Sequence, residues 1–109
     1  MTQTVVWIVA CNADDIEEED VLRFDRGEKS YAIYRIEQGF FASDGHCTHE
    51  DAHLADGFVL GDQIECPRHQ GRFHIPSGKP LCAPVCKHLK LHPTRVENGR
   101  VMIGLEDEA

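Results

Sequence analysis

Two short segments of the 109-residue chain each place one thiol near one imidazole: Cys47-Thr48-His49 and, after sixteen intervening residues, Cys66-Pro67-Arg68-His69. A thiolate is a soft, charged donor and a neutral imidazole a borderline one, so two of each suit a tetrahedral zinc ion or an iron-sulfur cluster. Many zinc fingers of mixed ligation keep their cysteines together on a hairpin and their histidines together on a helix. Here each segment is mixed, which favours a cluster served by both segments, with a structural zinc site as the alternative.

A [2Fe-2S] centre of the Rieske type needs such mixed pairs, because one iron takes two Cys and the other two His. The paired motif resembles the Rieske family, and Cys66-Pro67-Arg68-His69-Gln70-Gly71-Arg72-Phe73 resembles the form found in ferredoxins of bacterial aromatic-ring-hydroxylating dioxygenases. The resemblance implies one Rieske [2Fe-2S] cluster, with Cys47 and Cys66 on one iron and His49 and His69 on the other. It also implies a one-electron carrier that takes electrons from a flavin-containing NAD(P)H reductase and passes them to a terminal oxygenase acting on aromatic compounds. A proline-bearing loop over 76–80, including Pro80, is implied to cover the cluster. Gln70 and Gly71 are expected to aim backbone N–H groups at its sulfides. Two other readings are a small Rieske subunit of a nitrite-reductase-like complex and a zinc-stabilised interaction module.

Chain length bounds this function. A single domain over 1–109, with a cluster-binding subdomain at about 45–80, has no room for a mononuclear iron in a substrate pocket, so no catalytic site of its own is expected. The formal net charge is −8, from 19 acidic and 11 basic residues. A ferric pair with two sulfides and two thiolates is neutral in sum, so the surface stays acidic. It disfavours nucleic acid and anionic membrane and favours partners with a basic face. Of five cysteines, Cys11, Cys82 and Cys86 are left as free thiols, which points to a reducing compartment. The apolar run 5–11 is too short for a membrane span and lacks the basic flank of a signal peptide. A cytoplasmic monomer is the expectation.

The elements that must position the ligands read as an all-β antiparallel sandwich or small barrel of five or six short strands. Residues 5–10 form a mostly covered first strand with Trp7 in the core. Residues 12–20 form an acidic loop, solvated at Glu17-Glu18-Glu19-Asp20. Strands at 21–24 and 30–36 flank a hairpin turn at Asp25-Arg26-Gly27-Glu28, with Tyr31 and Ile33 on one face and Ala32, Tyr34 and Ile36 on the other. Turns at Asp56-Gly57 and Gly61-Asp62 set off a hairpin of 58–60 with 63–65 that brings the ligand loops together. Asn98-Gly99 signals a type I′ hairpin between 88–97 and 100–105, whose strands return to the main sheet. The acidic end, 106–109, is expected to fray.

The other histidines are not ligand candidates by position. His46, His53 and His74 stand near the loops but outside the motif, and related ferredoxins more often carry an acidic residue where His74 stands. Cys82, Cys86, His88 and His92 span too great a length to converge on one ion. By resemblance, high-potential members of the family carry an inter-loop disulfide and Ser and Tyr hydroxyls that donate to sulfur. Here those positions hold Ala52 and Arg68, Gly71, and Phe73. With acidic Glu50 and Asp51 also nearby, the potential is expected at the low end of the Rieske range of about −150 to +300 mV.

Overall fold

A computed structural model describes residues 4–48, 52–68, 70–82 and 87–107. Its strands are β1 (Thr4–Asn12), β2 (Asp20–Arg26), β3 (Lys29–Ile36), β4 (Gly39–Asp44), β5 (Phe58–Leu60), β6 (Gln63–Glu65), β7 (Arg72–His74), β8 (Pro80–Cys82), β9 (Leu91–His92), β10 (Thr94–Glu97) and β11 (Arg100–Asp107). Short 3-10 turns occupy Ala13–Asp15 and Leu54–Asp56. The strands form three sheets, ordered β1-β11-β10, β2-β3-β4-β9 and β5-β6-β7-β8. Every pairing among the described strands is antiparallel, as the all-β expectation requires.

β3 explains how two cores can share one sheet. Its residues are mostly aromatic, β-branched or small, and successive side chains point to opposite faces. Tyr31 and Ile33 enter a core with Val101, Ile103 and Leu105 of β11, together with Ile16 and Ala42. Ala32, Tyr34 and Ile36 enter a second core with Ile64 of β6, Phe73 of β7, Leu54, Ile75, Leu89 and both motif cysteines. The sheet containing β3 is therefore the middle layer. Each large apolar side chain buried there contributes about 1.5–3 kcal/mol relative to exposure.

The turns follow from their residues. β5 and β6 pair in register, Phe58 with Glu65 and Leu60 with Gln63, around Gly61-Asp62. Asn98 and Gly99 both have positive φ, 52° and 74°, which a type I′ turn demands and which these two residues tolerate best.

Several expectations are corrected. β1 is a strand, but Val5, Val6 and Val9 are exposed and Trp7 is half-buried outside both cores. β1 is an edge strand whose outer face meets solvent, and the Arg95 guanidinium covers the Trp7 ring at 4.2 Å from its centroid. There are eleven short strands among the described residues rather than five or six. The segment 88–97 is not one strand, because Pro93 lacks an N–H and divides β9 from β10. Only β9 joins the middle sheet, through β4, while β10 and β11 form a separate sheet with β1. The acidic end does not fray at Glu106 and Asp107, which pair with Val5 and Thr4. Residues 108 and 109 lie outside the described residues.

A buried hydrogen bond fixes β3 against β4. Tyr34 and Ser43 are fully buried, their hydroxyl oxygens are 2.7 Å apart, and the Ser43 hydroxyl donates to the Asp44 carbonyl at 2.9 Å. The Tyr34 hydroxyl must then be the donor to Ser43, and burial pushes its pKa well above that of an ordinary phenol. Ser43→Ala strands a buried donor and should cost about 1–3 kcal/mol, whereas Tyr34→Phe leaves Ser43 its carbonyl and should cost about 0.5–1.5 kcal/mol. Denaturant unfolding of both variants checks the order, and equal costs or a reversal would contradict this donor assignment.

Candidate metal centre

The two ligand segments form loops closed in the same way. The Cys47 N–H donates to the Ala52 carbonyl at 2.9 Å, and the Cys66 N–H donates to the Gly71 carbonyl at 2.7 Å. Each bond spans five residues, so each cysteine stands at the neck of a short closed loop. Both cysteines are buried, neither is in a disulfide, and both belong to the core beneath β3. The motif histidines, His49 and His69, lie outside the described residues, as do Glu50 and Asp51.

Several contacts hold the loops together. Leu54 N–H donates to the Gly45 carbonyl at 2.7 Å, pinning the far end of the first loop to its start. The 3-10 turn that follows ends at Gly57, which sits directly on the Glu65 carbonyl, so a Cβ at 57 would collide with the backbone leading into Cys66. The β5-β6 hairpin thus couples the two loops, as its turn residues suggested. Thr48 Oγ1 donates to the Lys87 carbonyl at 3.3 Å. In the second loop Gln70 has φ +57°, an uncommon conformation for a side-chain-bearing residue, and Gly71 is buried. The carbonyl of Gly71 closes the loop.

The segment 76–80 is ordered. The His74 N–H donates to the Lys79 carbonyl, the Gly78 N–H returns to the His74 carbonyl, and the Leu89 N–H donates to the Gly78 carbonyl, at 2.7–2.8 Å. His74 Nδ1 lies 2.7 Å from Ser77 Oγ, and its Nε2 lies 3.1 Å from Asp62 Oδ2. The His74 imidazole thus ties the segment to the β5-β6 turn. Pro80 begins β8 and pairs with Phe73.

Other candidate donors are committed elsewhere. His92 Nε2 bonds Asp44 at 2.7 Å, and this bond holds the Asp44 carboxyl below the usual carboxylate range. Cys11 is half-buried, and burial, with the Asp15 charge second, pushes its thiol pKa up, which makes it a poorer nucleophile at neutral pH. Cys86 lies outside the described residues. Ala52 and Arg68 line one hollow between the loops, together with Arg23 and His46. Gly71 lacks a side chain and Phe73 lacks a hydroxyl, so neither position can donate a side-chain hydrogen bond to sulfur.

Sequence reasoning missed His53. It is only 5 % exposed and joins two strands, β2 and β3, to the first loop. The Ala55 N–H donates to its Nδ1 at 3.0 Å, so the proton is on Nε2, which donates to Ser30 Oγ at 2.7 Å. Ser30 in turn donates to Asp25, which Arg23 holds at 3.0 Å. The His46 ring meets His53 edge-on at 5.5 Å. No local signal marks this chain of contacts, because Ser30 and Asp25 come from the far side of the sequence.

Two buried thiols on paired loops, with His53, His74 and His92 committed to protein partners, match the donor chemistry of a cluster that needs two sulfur and two nitrogen ligands. Comparison with known proteins agrees. The family model of the Rieske [2Fe-2S] domain matches residues 6–98. The ferredoxin component of the naphthalene 1,2-dioxygenase system of Pseudomonas putida is 48 % identical over 102 residues, covering 94 % of this chain and 98 % of that protein. A solved complex of reduced oxygenase and oxidized ferredoxin in carbazole 1,9a-dioxygenase contains a chain that matches with a TM-score of 0.88 at 33 % identity, covering 95 % of this chain and 97 % of that one. A Mycobacterium tuberculosis chain assigned to the small subunit of an NADH-dependent nitrite reductase matches with a TM-score of 0.79 at 21 % identity, covering 94 % and 96 %, a likeness of fold alone.

Burial, with the Arg23 charge second, lowers the His53 pKa below its ordinary 6.5. Above that pH both folded and unfolded states hold it neutral. As pH falls below 6.5 the unfolded chain takes up a proton that the folded chain resists, so stability drops until the folded pKa is passed. Protonation also removes the acceptor for Ala55. Thermal melting between pH 7.5 and 5 should show this fall, and His53→Gln should flatten it. An unchanged slope in the variant would contradict the role of His53.

Proposed function

The chain belongs to the Rieske [2Fe-2S] domain family, and from that premise we propose a specific division of labour among its residues and partners. It is a ferredoxin with a Rieske-type cluster, an electron carrier of the kind that serves aromatic dioxygenase systems rather than an enzyme. Bound in the protein, the cluster accepts and releases one electron at a time. Cys47 and Cys66 hold one iron and His49 and His69 the other, within a single domain spanning 1–109. The observation that supports this most is the entry of both cysteines, from two identically closed loops, into one core.

The chain's own residues position and shield. The loop closures fix each cysteine relative to its strand, and burial keeps water from the thiolates. The segment 76–80, tied down through His74 and Gly78, covers the site. Gln70 and Gly71 present backbone N–H groups to the sulfides. With no hydroxyl donor at 71 or 73 and no disulfide between 52 and 68, the midpoint lies low, at about −150 mV. A value above about +100 mV would refute that part of the reading.

The electrons come from a flavin-containing NAD(P)H reductase and go to a terminal oxygenase acting on aromatic compounds, naphthalene among the candidates, given the 48 % identical relative. The oxygenase as acceptor is supported by the relative solved in complex with one. The carrier is proposed to act as a monomer in the cytoplasm; among the described residues no helix is long and apolar enough to cross a membrane.

Single replacement of Cys47, His49, Cys66 or His69 by Ala should abolish the normal visible spectrum, because each removes one of four ligands. Cys11→Ser should keep it. A ligand variant with an unaltered spectrum would overturn the assignment, and a colourless wild-type protein that binds zinc would overturn the cluster itself.

A further inference from the structure

The β5-β6-β7-β8 sheet buries one face and leaves the other bare. Ile64 and Phe73 point inward and are fully buried. Registers Phe58-Glu65-Arg72 and Leu60-Gln63-His74 put the alternate residues outward. On that side Phe58 is 62 % exposed and Leu60 49 %, and Leu81, at the irregularity in the β7-β8 pairing on the opposite edge strand, is 44 % exposed. Single exposed apolar residues are ordinary, but a concentration of three on one small sheet, one of them an aromatic, is the composition of a contact surface. Between them Arg72 pairs with Glu65 at 3.1 Å, and Asp62, at the acidic border, is hydrogen-bonded to His74 at 3.1 Å. An apolar partner surface can therefore cover this face without burying an unpaired charge.

One border of the face is strongly acidic. The turn after Leu60 opens onto a groove of about 850 Å3 lined by Glu18, Glu19, Glu37, Gln38, Gly61 and Asp62, with no basic side chain among them. The Gly61 N–H donates to the Glu19 carboxylate at 2.6 Å, so the acidic loop is tied to the end of β5. A second copy of the chain would bring like charges together here, and the net charge of −8 adds to the repulsion.

We propose that the outer face of the β5-β8 sheet, anchored on Phe58 and Leu60, docks a redox partner protein whose contact surface is apolar at its centre and edged with Lys or Arg. The face adjoins the second ligand loop, since Glu65 precedes Cys66 and Arg72 follows Gly71, so a partner seated on it lies beside the site. This inference rests on the carrier function proposed above and adds the surface and the chemistry of the partner.

The test uses the intact, cluster-loaded ferredoxin with two double variants, Phe58→Ser/Leu60→Ser and Glu18→Lys/Glu37→Lys. All four side chains are exposed, so spectrum, melting temperature and midpoint potential should match wild type. Electron transfer is followed from a flavin reductase and to a terminal oxygenase, both of a naphthalene dioxygenase system, with ferredoxin concentration varied. For at least one partner, the apolar double variant should raise the half-saturating ferredoxin concentration about tenfold or more, as loss of an aromatic anchor does, with little change in maximal rate. The charge-reversed variant should do the same at low salt and converge on wild type as salt screens the rim. Unchanged half-saturation with both partners, in variants with intact spectra, would overturn the proposal. So would a wild-type dimer that Phe58→Ser/Leu60→Ser converts to monomer, since a second copy would then be the occupant. A wild-type protein without a cluster spectrum would instead fail the carrier reading.

Discussion

Two backbone hydrogen bonds of the same kind, Cys47 N–H to Ala52 and Cys66 N–H to Gly71, are the constraint from which the rest of the structure follows. Each fixes a cysteine at the neck of a closed loop, and a closed loop needs a rigid base on which to stand. The base is the core under β3, where Tyr34, Ile64, Phe73 and Leu54 pack with the two cysteines. Because β3 is apolar on both faces, the same strand also joins a second core on its other side, with Val101 and Ile103 of β11. The site is thus held by the middle layer and the small sheet, while the β1-β11-β10 sheet supports the middle layer from behind.

That arrangement suits a carrier. A site that exchanges electrons gains from little rearrangement, and the contacts around it are short, local and numerous: the 3-10 turn against Glu65, His74 between Ser77 and Asp62, His53 between Ala55 and Ser30. Recognition is left to the surface. The acidic excess is unevenly placed, with Glu18, Glu19, Glu37 and Asp62 around one groove, and the apolar residues of β5 border it. Long-range charge can orient a partner, while apolar contact next to the site completes the encounter.

The parts of this molecule legible in the sequence are those set by residue type over a few positions. Gly61-Asp62 and Asn98-Gly99 at turns and the two-faced alternation of β3 carry their meaning locally, and the structure agrees with each; of the Cys and His at motif spacing, the two cysteines share one core and the two histidines lie outside the described residues. What depended on distant partners was not legible. The apolar content of β1 suggested burial, but exposure is decided by its place at the edge of a sheet whose neighbour, β11, lies some ninety residues on. The same pairing holds Glu106 and Asp107, which their charge suggested would be loose. His53 reads as a spare histidine until Ser30 is found 2.7 Å from its ring. The positive φ of Gln70 had no signal beyond the glycine beside it.

The central claim is that two thiolates and two imidazoles, drawn one of each from the two loops, hold a single [2Fe-2S] cluster. Pulsed electron paramagnetic resonance of the dithionite-reduced protein, with and without nitrogen-15 labelled histidine, tests it most directly. The account predicts two strongly coupled histidine nitrogens in the wild type, and loss of that two-nitrogen pattern when His49 or His69 is replaced. A reduced cluster with no strongly coupled nitrogen, or a two-nitrogen pattern that survives both replacements, would contradict it.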